Sequence, residues 1–282
     1  MKISVNSSYF TKIRGDSKRR SDFEAALLCK QNGFDIIDCT TSFYKEPDES
    51  LVLRKANELC QQLSDEGITV DQSHAPFNRY SRLPTEEHKR QLRGAFKVSS
   101  ILGAKNIVIH ADEYFAPEGK QYSSKDACEY AYDYFAPFVE FAKKNDMGVA
   151  IENVFGDMGI PRYGSEVEEV IAIIDRFNDP CVGCCWDFGH AAVAFGAEKM
   201  LDKLKMVGKR LSSTHVHDNY VYSDMHFPPF LGKIDWESHI SYLKELGYDG
   251  TFTYEFVYGC VPDELVGDYL KLARKTAEFM LK

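Results

Sequence analysis

The sequence predicts an α/β protein that folds as a single (β/α)8 TIM barrel, in which eight parallel strands alternate with helices. Short apolar runs alternate with longer amphipathic segments eight times along the chain. The length of 282 residues suits one such barrel, because the fold typically takes about 250 residues. The glycine-rich signatures of dinucleotide-binding and P-loop folds, G-x-G-x-x-G and G-x-x-x-x-G-K-[ST], do not occur in the sequence.

The predicted strands are mostly continuous apolar runs, as expected for parallel strands that are buried on both faces. They cover residues 3–10, 35–41, 69–75, 106–111, 148–154, 181–187, 211–217 and 250–257. The amphipathic segments between them predict helices at 21–32, 49–66, 86–102, 123–145, 165–178, 198–207, 235–246 and 262–282. No linker or low-complexity tract divides the chain, so we expect one domain over residues 1–282.

The composition favours a small-molecule partner. The formal net charge is −9, and an acidic surface lacks the electrostatic footprint that nucleic acids and anionic membranes require. The chain starts with strand-like residues and has no apolar run of membrane-spanning length, so we expect a cytoplasmic protein that binds neither nucleic acid nor membrane. Assembly into a homo-oligomer is left open.

Polar residues cluster at the ends of the predicted strands, where barrels of this kind place their catalytic groups. The third to eighth strands end at His74, at His110, at Glu152, at Asp187 with His190, at His215, His217 and Asp218, and at Glu255. A lone buried carboxylate usually pairs with Lys or Arg, but neighbouring strand ends here supply carboxylates and imidazoles. Because converging carboxylates repel one another, the pattern predicts a site for a divalent cation.

Four segments resemble the superfamily of xylose isomerase-like barrels, which includes sugar and sugar-phosphate isomerases, ketose 3-epimerases and apurinic endonuclease IV enzymes. They are residues 149–153 (VAIEN), 186–190 (WDFGH), 214–219 (THVHDN) and 253–256 (TYEF). The loop residues 224–229 (DMHFPP) and 232–236 (GKIDW) resemble the loop after the seventh strand in the broad sugar-phosphate isomerase group.

The resemblance implies that Glu152, Asp187, His215 and Glu255 bind a divalent metal. Three carboxylates and one imidazole suit Mn²⁺, Mg²⁺, Co²⁺ or Zn²⁺. The implied activity is a metal-dependent isomerase or epimerase of a sugar or sugar phosphate, which transfers a proton through a metal-stabilised enediolate. By the same resemblance, Glu152 and Glu255 move the proton, and His190 contacts a substrate hydroxyl or orients Asp187.

The sequence departs from the ketose 3-epimerase pattern at two points. Met158 occupies the position of a second glutamate in those enzymes, and residues 219–225 contain none of the arginine they carry after the seventh-strand histidine. Both departures argue against a ketose 3-epimerase, although not against the wider group.

The pattern is also compatible with three different functions. An apurinic-site phosphodiesterase related to endonuclease IV would hold three zinc ions, and the nine residues that match its ligands are His74, His110, Glu152, Asp187, His190, His215, Asp224, His226 and Glu255. Five of these, His74, His110, His190, Asp224 and His226, are therefore candidates for additional metal or substrate binding. A dehydratase of an inosose-type ketone is the second possibility, and a non-catalytic barrel that binds a metabolite is the third.

Overall fold

A closed barrel of eight parallel strands forms the centre of the molecule, in the order β1 to β8. The computed structural model describes residues 1–13, 18–156, 160–256 and 261–282. Met158 and Val257, the last residue of the eighth predicted strand, lie outside these residues. The strands are β1 Lys2–Asn6, β2 Ile36–Asp38, β3 Thr69–His74, β4 Asn106–Ile109, β5 Gly148–Glu152, β6 Val182–Asp187, β7 Leu211–Val216 and β8 Thr251–Tyr254.

Helices follow the strands in chain order and surround the barrel. They are α1 Asp22–Gln31, α2 Glu49–Asp65, α3 Thr85–Ile101, α4 Ser124–Lys144, α5 Val167–Phe177, α6 Phe188–Phe195, α7 Met200–Val207, α8 Trp236–Leu246 and α9 Val266–Leu281. The predicted (β/α)8 fold is confirmed. The sequence predicts a single helix after β6, whereas the structure has both α6 and α7 there.

Most of the helices bury one face in the core. In α2 the buried residues are Val52, Ala56, Leu59 and Leu63, which recur at the three- and four-residue spacing of one helix face. Burying a leucine side chain of this kind contributes about 1.5–3 kcal/mol. A separate apolar cluster of Val108, Ala150 and Cys185, all fully buried, belongs to the neighbouring strands β4, β5 and β6.

Asp187 begins α6 directly at the end of β6. Its carboxylate accepts the backbone N–H of His190 at 2.6 Å and so caps the helix. An Asp at this position satisfies a helix N–H group that has no partner within the helix. The D-x-x-H spacing thus places a cap and a histidine of the first helical turn next to each other at the mouth of the barrel.

Of the helices in the described part of the chain, none combines the length and the apolar character that crossing a bilayer requires.

Candidate metal centre

Four side chains predicted to bind a metal converge at the C-terminal end of the barrel. Glu152 and Asp187 are the last residues of β5 and β6, and Glu255 follows β8 by one residue. His215 pairs with Asp187 across the β6–β7 ladder. Its Nδ1 lies 3.1 Å from Glu152, 3.7 Å from Asp187 and 3.5 Å from Glu255. One ligand atom from each of the four lies within 4.8 Å of the others.

Two further groups adjoin this central group. His74, His110 and Glu152 form one, and His190, His217, Asp224 and His226 form the other. Glu152 is shared between the central group and the first of these, and His190 Nδ1 lies 3.2 Å from Glu152, so the three groups are continuous. The structure therefore brings together all nine residues that the sequence analysis named as possible ligands, and it adds His217.

Glu152 is the most crowded carboxylate of the site. Its two oxygens lie 3.0 to 3.2 Å from ring nitrogens of four histidines, which are His74, His110, His190 and His215. The side chain is almost fully buried. Burial alone favours the neutral acid, but the rings of His215 and His110 hold the pKa of Glu152 well below its usual range.

Backbone carbonyls orient three of the histidine rings. The Nδ1–H groups of His74, His190 and His226 donate to the carbonyls of Ala75 at 2.7 Å, Asn153 at 3.0 Å and Glu255 at 2.9 Å. A carbonyl oxygen only accepts, so each ring carries its proton on Nδ1 and turns the Nε2 lone pair inward.

Carboxylates face these lone pairs. The Nε2 of His74 lies 3.0 Å from Glu152 Oε2, and the Nε2 of His226 lies 3.0 Å from Asp224 Oδ2. Two acceptors at this distance require a cation between them, either a proton or a metal ion. The site is thus built to hold positive charge.

The pKa shifts of two of these histidines also favour positive charge in the site. Burial disfavours the charged ring of His226, yet the hydrogen bond that the ring donates to Asp224, together with the nearby carboxylates, raises its pKa to about 9. The pKa of His190 is raised well above its ordinary value because the carboxylates of Asp187, Asp224 and Glu152 together outweigh burial. His110 differs, since burial outweighs the attraction of Glu152 and lowers its pKa.

The donor atoms match the metals that the sequence predicted. The central group offers three carboxylates and one imidazole, an oxygen-rich set that suits Mn²⁺, Mg²⁺, Co²⁺ or Zn²⁺. The group of His190, His217, Asp224 and His226 is rich in nitrogen, and this composition suits Zn²⁺. The residues present therefore fit a divalent metal centre.

A cavity of about 440 Å³ opens above the centre. Glu152, Glu255, His74 and His190 contribute to its lining. The polar side chains of Asn6, Ser8 and Thr40 also line the cavity. Much of the remaining wall consists of aromatic rings, which are those of Tyr9, Tyr44, Phe77, Tyr80 and Phe155.

Several contributors to the site were not predicted. The Tyr9 hydroxyl donates to Glu255 Oε1 at 3.1 Å, and the Asn6 amide contacts the same oxygen at 3.4 Å. Arg162 lines the cavity and bonds Asp112 and His110. The first predicted strand, residues 3–10, included Asn6 and Tyr9, whereas the observed β1 ends at Asn6, so neither was recognised as a strand-end residue. No sequence pattern marks Arg162, which lies outside the strands of the barrel.

The last two residues of the H-x-H-D-N motif organise the loop after β7. Asp218 is fully buried and accepts N–H groups of Phe230, Ile234 and Trp236. The Asn219 side chain accepts the N–H of Met225 at 2.7 Å. These contacts hold the segment that carries Asp224 and His226. The strand-end candidate Asp218 therefore contacts the loop and is not one of the grouped ligand side chains.

Comparison with known proteins places this architecture in a family. The family described as xylose isomerase-like TIM barrel matches residues 26–282. Uncharacterized protein MJ1311 of Methanocaldococcus jannaschii is 26% identical over 187 residues, which span 64% of this chain and 62% of that protein. The match thus covers less than two thirds of that relative's length.

Solved structures with the same fold cover nearly the whole chain. A D-tagatose 3-epimerase-like protein superposes with a TM-score of 0.72 at 22% identity, over 98% of this chain and 100% of the other. The IOLI protein with a binding zinc atom superposes with a TM-score of 0.74 at 18% identity, over 100% of this chain and 98% of the other. At these identities the similarity shows the fold.

Proposed function

Because the chain belongs to the xylose isomerase-like TIM barrel family, we propose that it is a divalent-metal-dependent isomerase or epimerase of a sugar or sugar phosphate. The observation that carries the proposal is the convergence of Glu152, Asp187 and Glu255 on Nδ1 of His215 beneath the cavity. Similar structures include several sugar epimerases, which supports the choice of substrate class.

We assign the metal to the central group, Glu152, Asp187, His215 and Glu255. A divalent ion bound there supplies positive charge that stabilises negative charge on substrate oxygens. The chain's own residues do the rest of the work that the reaction requires, which is to place the sugar, exclude water and move the proton.

Glu255 and Glu152 are proposed to remove and return the proton on carbon. They reach the centre from β8 and β5, which lie apart in the barrel. Tyr9 and Asn6 hold one oxygen of Glu255 and leave Oε2 for the reacting centre. Glu152 has histidine nitrogens at both oxygens. We therefore expect Glu255 to be the freer of the two bases.

The cavity fits a substrate of monosaccharide size. Small-molecule sites generally enclose about 300–1,000 Å³ and combine an apolar wall with a few fixed polar groups. Here Tyr44, Phe77 and Tyr80 offer ring faces for the C–H side of a sugar, while Asn6 and Thr40 offer partners for hydroxyl groups. The proposed partner is accordingly a small molecule.

The test is hydrogen exchange with a panel of ketoses, their phosphates and inosose-type ketones. The metal-loaded protein is incubated with each compound in deuterated water, and a chelator-treated sample is the control. We expect metal-dependent incorporation of deuterium next to the carbonyl of at least one sugar, together with an isomeric product. Loss of water instead of isomerisation would identify a dehydratase, and no exchange on any compound would contradict the proposal and favour a binding protein.

A second candidate function rests on the three adjoining groups. Nine residues of the types used by apurinic-site phosphodiesterases with three zinc ions lie together in this structure, and clustered divalent ions are a device for phosphoester cleavage. The net charge of −9 argues against a DNA substrate. About three zinc ions per chain, with nicking of abasic DNA, would establish this candidate in place of the sugar reaction.

A further inference from the structure

Arg162 lies against a face of the metal centre that the proposed function does not use. The side chain is 3% exposed. Its Nη2 lies 3.2 Å from Nδ1 of His110, and its Nε donates to Asp112. The rings of Tyr80 and Phe155 lie on the guanidinium, at 5.8 and 5.9 Å from its carbon. An ion pair and two aromatic contacts thus hold the guanidinium in front of His110.

A guanidinium group has only donors and stays protonated. The His110 nitrogen that it faces must therefore be the acceptor. The single proton of a neutral ring is then on Nε2, and the Nε2–H points at Glu152 Oε2, 3.0 Å away. Both contacts of the ring are satisfied by this one tautomer.

His110 carries its proton on the opposite ring nitrogen from two neighbouring histidines. In His74 and His226 a backbone carbonyl accepts from Nδ1–H, which leaves Nε2 free to bind a metal. In His110 a metal on Nε2 would require the proton on Nδ1. That arrangement would set two donors 3.2 Å apart in a buried position, which is unfavourable.

We propose that Arg162 selects the Nε2–H tautomer of His110 and thereby keeps His110 out of metal coordination. His110 instead donates its one N–H group, on Nε2, to Glu152. The inference rests on the proposed metal-dependent function. The group of His74, His110 and Glu152 has suitable ligand types and spacing. In this tautomer, however, Nε2 of His110 carries a proton and has no lone pair to offer a metal.

The tautomer is read directly by NMR. Protein labelled with ¹⁵N-histidine and freed of metal is recorded in long-range ¹H–¹⁵N spectra, and the His110→Gln variant assigns the ring. In the wild-type chain we expect the ¹⁵N chemical shift of His110 Nε2 to be that of a protonated, pyrrole-type nitrogen. In the Arg162→Met variant we expect this chemical shift to change. A wild-type ring protonated on Nδ1 would overturn the proposal.

Metal content gives a second readout. The His110→Gln variant should bind as many zinc ions per chain as the wild type, whereas His215→Gln, in the central group, should lose one. The Arg162→Met variant should gain up to one ion, and the gain should vanish when His110→Gln is added. Loss of one ion from His110→Gln alone would overturn the proposal.

Two controls keep the test decisive. Arg162→Met leaves the Asp112 carboxylate buried without its partner, so the Arg162→Met and Asp112→Asn double variant is measured in parallel and both are checked for folding by circular dichroism. If the wild-type chain bound no metal, the proposed function would fail. The NMR readout on the metal-free protein would still decide whether Arg162 sets the tautomer.

Discussion

Gly189 and His217 are in contact so close that a side chain on the glycine would overlap the ring. A Cβ on Gly189 would lie 1.8 Å from Cε1 of His217. The ring so placed donates its Nε2–H to Asp187 Oδ2, 3.0 Å away, and stacks on His226 with ring centres 3.9 Å apart. The glycine of the D-x-G-H segment therefore makes room for a histidine of the candidate metal centre.

The Gly189→Ala variant should displace His217. We expect a loss of about 1–3 kcal/mol in the free energy of unfolding, the usual cost of overpacking. Zinc affinity of the group that contains His217 should fall as well. Calorimetric zinc titration and denaturant unfolding measure the two effects. Gly156→Ala, where a Cβ would meet open space, is the matched control. Equal behaviour of the two variants would show that the close approach has no consequence.

Replacement of the two proposed bases should lower turnover, and each change should also weaken the central metal group to which both residues belong. Glu255→Gln should lower turnover by about 10²–10⁴-fold, the contribution of a general base, while the protein still folds. Glu152→Gln should lose more metal than Glu255→Gln, because Glu152 belongs to two of the three groups and Glu255 to one. Deuterium exchange and zinc content are the measurements, with exposed Glu278→Gln as the control. Near-normal turnover of Glu255→Gln would refute its role as base.

Asp218 should control the centre without touching it. The Asp218→Asn variant weakens the hydrogen bonds that this side chain accepts from Phe230, Ile234 and Trp236. We expect the free energy of unfolding to fall by about 1–3 kcal/mol. Because this loop carries Asp224 and His226, zinc affinity should drop with it. Unfolding and zinc titration test this, and Asp235→Asn, an exposed helix cap, should change little. Unchanged zinc affinity in Asp218→Asn would argue against the coupling.

Glu113 should make stability depend on pH. Burial raises the pKa of its carboxyl from 4.5 to about 7, although the Asn78 N–H opposes the shift. Between these values the folded state binds more protons than the unfolded state, so the free energy of unfolding falls as pH rises from about 4.5 to about 7. The cost is fully present above pH 7 and amounts to at most about 3 kcal/mol.

The Glu113→Gln variant isolates this contribution from the rest of the titrating groups. The difference in unfolding free energy between the variant and the wild type should grow in favour of the variant from pH 5 to pH 8. Denaturant unfolding at a series of pH values measures it. A difference that is independent of pH would mean that Glu113 ionises normally in the folded chain.

Local pattern was sufficient for the barrel and for placing most of the candidate residues at one end of it. The continuous apolar runs predicted eight strands, and all eight form. Strand ends were less accurate: His110, His217 and Glu255 each follow the observed strand by one residue. Pairing with the neighbouring strand determines where a strand ends, and pairing is not readable from one segment. The helix α6 was missed because Asp187 caps it without any intervening loop.

By itself, the sequence determined that carboxylates and imidazoles would meet at one end of a parallel barrel, because strand order brings strand ends together whatever the loops do. Only the tertiary structure decided the protonation of each ring. A carbonyl beside His74 and a guanidinium beside His110 come from loop geometry, and that geometry determines which nitrogen offers a lone pair. The residue type sets what a histidine can do, and the neighbour it meets in the folded chain selects which of its two nitrogens does it.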